Sequence, residues 1–321
     1  DTTLAEVAWD YTRIFLYFMP AIMPLFAVDN YLRICGKANF SMWMNISVAV
    51  LNIFLDWFLL AYLRLDIRFA ALATSVSMTL GVLIALTPIV LRKLTLRFTR
   101  PRISLSTTLG IFHNGSSEFF NNISGSFMST VVNAFLLHLG GGTAVAAYGI
   151  VMYLDSLLLM ALYGILDSLQ PPVSYNIGAG NHQKAREFFR LSCKVTATIS
   201  MVCLLAMVCF PKELASLFLQ DNSEEVLEMT VTALRLYAPA YLFLWLNMVI
   251  SSFLTAMDRA RDSLTIMLFR ALIFPALSLA VFPQILGVTG IFITPAISGA
   301  LTVIISTTIW RRLGKQQPQE A

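Results

Sequence analysis

The chain has 321 residues, of which 57% are hydrophobic and only 12% are charged, and its formal net charge is +4. A soluble domain carries roughly a quarter charged residues, so this composition excludes an ordinary soluble protein and indicates that the bilayer is the solvent. The four cysteines form no CxxC pair and have no metal-ligand spacing with histidine, which argues against a metal centre or a disulfide framework.

Nine apolar segments are long enough to cross a bilayer, which takes about 20 mostly apolar residues. In chain order they lie near 8–31, 42–63, 69–91, 107–138, 144–172, 190–211, 229–256, 264–282 and 287–310. The connections are short, so the sequence predicts an all-α, polytopic membrane protein of about nine transmembrane helices with no separate soluble domain. The two longest segments, 107–138 and 144–172, are expected to be tilted or to extend beyond the membrane.

The loops between these segments alternate in charge. One set of loops holds most of the basic residues, namely Arg33, Lys37, Arg92, Lys93, Arg97, Arg100, Arg102, Lys184, Arg186, Arg190, Lys194, Arg259, Arg261, Arg311, Arg312 and Lys315. The other set holds only Arg64, Arg68 and Lys212. Short loops rich in Lys and Arg stay in the cytoplasm. We therefore expect a multi-pass protein of the cell (inner) membrane whose first residues lie outside and whose C-terminus is cytoplasmic.

A weak internal repeat relates the first three segments to the last three. At an offset of 222 residues, several residues match in kind: Arg13 with Arg235, Leu32 with Leu254, Lys37 with Arg259, Ala38 with Ala260 and Ser41 with Ser263. Segments four to six have no counterpart, and the sequence opens without a Met, which predicts about 120 further residues upstream. We expect residues 1–98 to be the last three helices of an N-terminal lobe and 99–321 a complete six-helix C-terminal lobe.

Three sequence patterns resemble the MATE (multidrug and toxic compound extrusion) family. The first is residues 170–181, QPPVSYNIGAGN, with Lys184, Ala185 and Arg186 after it. The second is Leu32-Arg33 with Gly36, followed by Leu51-Asn52-Ile53 and Asp56, and the third is Gly115 to Glu118 with Asn133 further on. The resemblance covers the whole chain and corresponds to helices four to twelve of twelve. It implies secondary active efflux of small lipophilic cations, driven by H⁺ or Na⁺ antiport, with alternating access between two lobes.

The first of these patterns also has a direct physical meaning. Pro171 and Pro172 lack backbone donors and are expected to end the fifth helix. Gly178 and Gly180 allow a tight turn on the cytoplasmic side. Lys184, Arg186 and Arg190 then begin an amphipathic stretch suited to an anionic leaflet. A structural cap on the helix is the simpler interpretation, and a direct role in gating is the alternative.

Glu118 is the leading candidate for a functional residue, because a charge within a membrane span is costly and is a functional hypothesis by default. Asn114 and Asn122 lie four residues to either side of it, on the same helical face. Together they would form an oxygen-lined patch for a proton or a hard cation such as Na⁺. The resemblance implies a role in cation coupling or substrate binding for an acid at this position, and a buried structural acid is the alternative.

Two other acids and several aromatic residues complete the predicted binding set. Asp155 would pair with Glu118 or with Arg235, or serve only in structure, and the resemblance links Asp56 to substrate or proton binding. Asp29 is expected to pair with Arg33, and the central Arg270 needs a partner acid. Aromatic faces suit flat lipophilic cations, although ordinary packing is the alternative for each. The aromatic residues in the three spans concerned are Phe119, Phe120, Tyr148, Tyr153, Tyr237, Tyr241 and Trp245.

The predicted substrate- and cation-binding residues are therefore Glu118, Asn114, Asn122, Asp155, Asp56, Tyr148 and Tyr241. Some family members use an acid in the tenth helix, but residues 231–256 contain none, which puts a sodium site of that kind in doubt. We expect no cofactor, no resident metal, no nucleic acid partner and a monomer.

Other functional classes fit the sequence less well. A lipid-linked saccharide flippase of the same superfamily is the main alternative, although such a protein tends to line its cavity with several arginines. The interiors of the spans of the C-terminal lobe contain only two arginines, Arg235 and Arg270. An enzyme would need a nucleophile–base or metal constellation, and a receptor would not predict the repeat. The sequence has no Walker A pattern, which argues against ATP as the energy source.

Overall fold

The computed structural model describes residues 2–99, 104–219 and 224–316, with the backbone alone for 2–5, 114, 117, 118, 121 and 313–316. Every regular element in this part of the chain is a helix, which confirms the all-α expectation. The chain divides into two compact units, Asp1–Arg102 and Ile103–Ala321.

The first unit contains four α-helices. They are α1 (Thr2–Ile22), α2 (Pro24–Ile34), α3 (Ala38–Asp56) and α4 (Arg68–Val90). Helices α1 and α2 form one span with a bend at Met23, directly before Pro24, because a proline there cannot donate to the preceding turn. Helix α4 packs against the other three. The unit's core consists of Leu25, Val28, Leu32, Met44, Val82, Ala85, Ile89 and Leu94.

Helix α3 does not end at Asp56 but continues as a π-helix over Trp57–Tyr62. The rings of Phe54 and Phe58 stack with centroids 6.1 Å apart, and those of Phe58 and Tyr62 at 5.8 Å. Where α3 and α4 approach, a Cβ on Gly81 would lie 2.5 Å from a methyl group of Val48. A glycine is therefore needed for this helix contact.

The second unit is built around one very long helix. Its α-helices are α5 (Leu105–Gly178), α6 (His182–Cys209), α7 (Pro211–Ser216), α8 (Glu224–Tyr237), α9 (Tyr241–Ala256), α10 (Ala260–Leu268), α11 (Phe274–Leu286) and α12 (Val288–Gln316). A 3₁₀ turn, Ala238–Ala240, joins α8 to α9, and a π-helix, Phe269–Ile273, joins α10 to α11. Helix α5 packs against α6, α8, α9 and α10, and α12 packs against α8, α9 and α11.

Helix α5 is two helices joined at Gly141, whose φ of 64° and ψ of −160° interrupt the helical backbone. Glycine adopts such a positive φ without the steric penalty that a side chain brings. Eight helical segments in the described residues are long and apolar enough to cross a membrane, and one of them, Asn122–Gly178, has 57 residues. Since a span needs only about 20 residues, this segment accommodates two spans, in agreement with the nine that the sequence predicts.

The expectation that Pro171 and Pro172 end the fifth helix is wrong, since α5 continues through both prolines to Gly178. Packing offsets the lost hydrogen bonds, because Leu169 and Val173 are buried in a cluster shared with α6 and α9. The side-chain amide of Asn176 also donates to the Pro172 carbonyl at 2.8 Å. Neighbouring helices and polar side chains are what make proline tolerable within membrane helices.

The turn after α5 is as tight as the glycines predict, although only Gly180 adopts a positive φ, of 76°. The Gly180 N–H donates to the Ile177 carbonyl and the Asn181 N–H to that of Asn176, which is the Schellman pattern of helix termination. The Asn181 side chain then accepts from the Lys184 N–H at 3.4 Å and caps α6.

The same turn occurs at two positions that the 222-residue repeat relates. In the first unit, Gly36 has a φ of 73° and the Lys37 N–H donates to the Leu32 carbonyl at 2.8 Å. In the second unit, Asp258 has a φ of 60° and the Arg259 N–H donates to the Leu254 carbonyl at 2.9 Å. This shared backbone geometry supports the repeat more strongly than the sparse sequence identities do.

Candidate functional site

A cavity of about 250 Å³ lies inside the second unit, lined by both parts of α5, by α8, α9, α11 and α12, and by the π-helix Phe269–Ile273. Its wall combines apolar side chains with polar ones from all of these except α11, which contributes only Pro275. The polar lining consists of Ser129, Tyr148, Asp155, Tyr237, Asn247, Arg270, Thr294 and Ser298. Polar groups from distant parts of the chain therefore converge at one place within an apolar helix bundle, as is typical of a ligand site.

Asp155 is the acid of this cavity and is only 8% exposed. Tyr241, at the start of α9, donates its hydroxyl hydrogen to Asp155 Oδ1 at 2.9 Å. The hydroxyl of Tyr237, at the end of α8, also interacts as a hydrogen-bonding group with the Asp155 carboxyl group. The 3₁₀ turn Ala238–Ala240 lies between the two tyrosines and brings their rings to a centroid distance of 5.8 Å, edge to face. Two phenols on successive turns therefore hold one buried carboxylate.

Arg270 supplies a positive charge to the same cavity. It lies in the π-helix Phe269–Ile273, and its guanidinium interacts electrostatically with the Asp155 carboxyl group. Short π-helical turns are frequent at functional sites. A buried charge needs a counter-charge to be tolerated in a membrane helix. Asp155 is therefore a partner acid of the kind that the sequence requires for Arg270.

Tyr148 stands two helical turns before Asp155 on α5 and lines the same cavity. Its ring stacks on Phe292 of α12 with centroids 6.5 Å apart and an interplanar angle of 15°. Two members of the predicted binding set, Asp155 and Tyr148, thus line one cavity, and a third, Tyr241, donates a hydrogen bond to Asp155.

Asn247 is a polar residue of this cavity that the sequence reasoning missed. Its side chain is completely buried on α9, donates to the Gly299 carbonyl at 3.0 Å and accepts from the Ser306 hydroxyl at 2.8 Å. The amide thereby connects α9 to α12. An amide in the middle of an apolar span was the available signal, because a polar side chain at membrane depth requires partners.

The other predicted binding residues lie elsewhere in the chain, or their side chains lie outside the described residues. The side chains of Glu118 and Asn114 lie outside the described residues, and their backbone belongs to α5. The pairing of Glu118 with Asp155 therefore stays a prediction. Asn122 is exposed on the surface of the second unit. Asp56 belongs to the first unit, where it is half-buried at the start of the π-helix Trp57–Tyr62.

Asp56 has one buried carboxylate oxygen, Oδ1, that accepts no hydrogen bond from the described part of the chain. One helical turn earlier, the Asn52 amide donates to the Thr74 hydroxyl at 3.3 Å and links α3 to α4. A buried oxygen without a partner is costly, and a bound water molecule or ion is one way in which native proteins satisfy it. Each unit therefore has an acid with polar neighbours inside its helix bundle, Asp56 in the first unit and Asp155 in the second.

Two further expectations about charges have clear outcomes. The Asp29–Arg33 pair is confirmed, with Asp29 Oδ2 and Arg33 Nη2 2.7 Å apart. Ser41 and Asn45 also donate to the Asp29 carboxylate, so that α2 and α3 share one polar cluster. Arg235, one of the partners considered for Asp155, is instead exposed on α8.

The aromatic residues divide into two groups. Tyr148 and Tyr237 line the cavity and Tyr241 is buried against Asp155, whereas Phe119 and Phe120 lie exposed on the surface of the second unit. Tyr153 is exposed as well and stacks on Phe218 with centroids 6.2 Å apart. Aromatic residues near the cavity are therefore chiefly tyrosines, which offer hydroxyl groups as well as ring faces.

The chain matches the MatE family model over residues 1–58 and 119–279. It is similar to the FAD transporter of Shewanella oneidensis, with 26% identity over 322 residues, covering 98% of this chain and 70% of the relative. It is also similar to the multidrug export protein MepA of Staphylococcus aureus, with 23% identity over 305 residues, covering 94% of this chain and 66% of MepA. The chain therefore spans about two thirds of the length of these relatives.

Solved structures of MATE transporters share the fold. The outward-facing conformation of a multidrug resistance MATE family transporter of the MOP superfamily superposes with a TM-score of 0.89 at 22% identity. The match covers 96% of this chain and 69% of that one. A MATE structure in complex with MaL6 gives the same TM-score, covering 96% of this chain and 70% of that one. The family model matches most of the chain, which therefore belongs to the MatE family of membrane transporters and is not an enzyme.

Proposed function

We propose that the chain belongs to a secondary active exporter that expels small lipophilic cations in exchange for protons, with alternating access between two lobes. The observation that carries this proposal is the buried Asp155, which accepts a hydrogen bond from Tyr241 and interacts electrostatically with Arg270 in a partly polar cavity of the second unit. Membership of the MatE family and similarity to a protein named as a multidrug exporter support efflux as the direction of transport.

The size of the Asp155 cavity favours a coupling ion over a drug as its occupant. Pockets for drug-sized ligands span about 300–1,000 Å³. The cavity here is about 250 Å³, and part of its wall is polar. Such a space suits a proton on a carboxylate together with a few water molecules. We assign the cavity to ion coupling and leave drug binding to other polar residues of the chain.

The charges around Asp155 favour H⁺ over Na⁺ as the coupling ion. A hard metal cation requires a shell of oxygen ligands that it can approach closely. The Arg270 guanidinium lines the same cavity and opposes every added cation, a proton included, but a metal ion would also have to assemble its oxygen shell beside this positive charge. A proton, by contrast, binds covalently to the carboxylate. Acid residues of this kind in membrane spans commonly serve as proton relays.

Protonation of Asp155 would change contacts between several helices at once. The neutral acid is a weaker acceptor for the Tyr241 hydroxyl and loses its attraction to Arg270. These groups connect α5, the start of α9 and the π-helix between α10 and α11. A proton could therefore shift the equilibrium between two packings of these helices, because it interacts differently with the two.

The remaining features of the exporter follow from the sequence. We propose that residues 1–98 and 99–321 belong to two lobes, that the basic loops and the C-terminus face the cytoplasm across the inner membrane, and that the protein is a monomer. Glu118, Asn114, Asn122 and Asp56 remain candidates for binding substrate or a cation.

Export of an anionic cofactor is the second candidate function. A relative of 26% identity is named as an FAD transporter, and the cavity contains a cationic guanidinium, that of Arg270. A lipid-linked saccharide flippase would also require cationic groups for its phosphates. Asp155 balances the charge of Arg270 in this cavity, which makes a polyanionic cargo the weaker candidate.

Transport assays in liposomes would separate these candidates. The protein would be reconstituted into liposomes that are loaded with a lipophilic cationic dye or with FAD. Efflux would then be followed under an imposed pH gradient or an imposed Na⁺ gradient. We expect dye efflux under the pH gradient alone. Efflux of FAD but not of dye would overturn the proposed cargo, and efflux under the Na⁺ gradient alone would overturn the proposed coupling ion.

A further inference from the structure

A second cavity, of about 620 Å³, lies in the first unit between the start of α3 and the end of α4. Two lysines line it from these two sides: Lys37 directly precedes α3, and Lys93 follows α4. The apolar part of its wall includes Phe40, Pro88 and Leu91. The cavity therefore combines two positive charges with an apolar surface, at the end of the unit where its basic loops lie.

The backbone holds both lysines in equivalent positions. Lys37 follows Gly36, with its φ of 73°, and Lys93 follows Arg92, with its φ of 57°. In each turn the lysine N–H donates back into the preceding helix, to the Leu32 carbonyl at 2.8 Å and to the Pro88 carbonyl at 2.9 Å. These are two Schellman turns, and each lysine occupies the residue after the left-handed one. Their attachment points at the cavity are therefore fixed by helix termination and not by loop flexibility.

Neither lysine is neutralised within the part of the chain that the structure describes. The ion pairs found there do not include Lys37 or Lys93. The neighbouring Arg33 is instead engaged by Asp29 at 2.7 Å. At the opposite end of the unit, Arg68 pairs with Asp66 at 2.9 Å. The two lysines are thus available for an anion that the unit itself does not provide.

The internal repeat offers a direct comparison. At the 222-residue offset, Lys37 corresponds to Arg259 and Phe40 corresponds to Asp262. In the second unit, Arg259 Nη1 lies 3.4 Å from Asp262 Oδ2, so the cation has an acid three residues away. In the first unit the same place holds an aromatic ring that lines the cavity. The first unit therefore has a cation without this carboxylate and an apolar surface in its place.

We propose that this cavity binds the phosphate group of an anionic phospholipid, with Lys37 and Lys93 on the phosphate and the lipid's glycerol and acyl portion on Phe40, Pro88 and Leu91. Lysine ammonium groups act as point charges for phosphate. Basic pockets between transmembrane helices recognise anionic lipid headgroups at the membrane surface. A free phosphate ion would gain nothing from the apolar wall, which makes the lipid the favoured occupant.

Native mass spectrometry of the purified chain would test this proposal with phosphatidylglycerol, phosphatidylcholine and inorganic phosphate as separate probes. We expect phosphatidylglycerol to bind more tightly than phosphatidylcholine, and the double variant Lys37→Ala/Lys93→Ala to weaken its binding by roughly tenfold. The matched control Lys194→Ala/Lys212→Ala removes two exposed lysines of the second unit and should bind phosphatidylglycerol like the parent.

A third variant, Phe40→Asp, places an acid three residues after Lys37, as in the second unit, and should weaken phosphatidylglycerol binding while both lysines remain. Circular dichroism would verify that each variant stays helical. Equal binding of the two lipids, or unchanged phosphatidylglycerol binding in the Lys37→Ala/Lys93→Ala variant, would overturn the proposal. Binding of inorganic phosphate that depends on the two lysines and equals that of the lipid would also overturn it, by identifying a soluble anion as the ligand.

Discussion

The hydroxyl of Tyr241 donates a 2.9 Å hydrogen bond to Asp155 and thereby joins α9 to the second part of α5 across 86 residues of sequence. Both side chains are buried. Arg270, in the π-helix before α11, interacts electrostatically with the same carboxyl group. One acid therefore connects three separate regions of the second unit. A change in its charge would alter all of these contacts together.

Replacing Tyr241 by Phe tests the hydrogen bond itself. Because a hydrogen bond to a charged group contributes about 1.5–3 kcal/mol, Tyr241→Phe should lower the thermal unfolding temperature in detergent and slow transport. Tyr148→Phe is the matched control, since Tyr148 lines the same cavity but packs on Phe292. If the two variants lose stability and transport to the same extent, the Tyr241–Asp155 bond has no special role.

The buried amide of Asn247 is expected to stabilise the packing of α9 against α12. Its removal in Asn247→Ala leaves the Gly299 carbonyl and the Ser306 hydroxyl without their partner, at a cost of about 1–3 kcal/mol for each buried group. Ser306→Ala removes only one of the two hydrogen bonds and should destabilise less. Unfolding by denaturant would rank the variants, and an Asn247→Ala protein as stable as the parent would contradict this view.

The repeat predicts that the charged cluster of the first unit can be replaced by its neutral counterpart. Asp29, Arg33 and Ser41 correspond at the 222-residue offset to Ser251, Thr255 and Ser263. In the second unit the Ser263 hydroxyl lies 3.0 Å from that of Ser251 and 2.8 Å from that of Thr255. The two clusters thus share a geometry but differ in charge.

Asp29→Ser alone leaves the partly buried Arg33 without its carboxylate and should destabilise by about 1–3 kcal/mol. Adding Arg33→Thr should recover part of this loss, because neighbouring sites of one network are not additive. Thermal unfolding of the two single variants and the double variant would measure the coupling. A double variant whose loss equals the sum of the single losses would argue against equivalent clusters.

Glu118 remains the strongest prediction from sequence alone. Glu118→Gln keeps the shape of the side chain but removes its charge, so export of a cationic dye from liposomes should fall severalfold. Asn122→Ala, four residues further along α5, should have a smaller effect if the amide only assists. Undiminished export by Glu118→Gln under both a pH gradient and a Na⁺ gradient would remove this residue from the binding set.

Hydropathy and charge alone predicted the membrane spans well, because a bilayer imposes length and apolarity on each helix separately. The prediction that Pro171 and Pro172 end the fifth helix was wrong, because the effect of the prolines depends on the burial of Leu169 and Val173 against α6 and α9. Tertiary packing of this kind leaves no local pattern in the sequence.

The candidate site was only partly predictable for a similar reason. Asp155 and Arg270 each stood out as a charge within an apolar span, and the sequence required a partner acid for Arg270. The contact of Asp155 with Tyr241 depends on a helix pairing 86 residues apart, and the 3₁₀ turn that presents both tyrosines follows from Pro239 in its three-dimensional setting. The sequence thus showed which residues are chemically active, but not which residues they contact.

The central claim is that Asp155 carries the proton that is exchanged for a cationic substrate. The most direct measurement starts from purified protein that has been acidified until Asp155 carries its proton, and follows proton release in weakly buffered detergent when a lipophilic cation such as tetraphenylphosphonium is added. Asp262→Asn is the control, because it removes an acid from a peripheral ion pair with Arg259. We expect the parent and Asp262→Asn to release protons on binding and Asp155→Asn to release none. Proton release by Asp155→Asn equal to that of the parent would contradict the account.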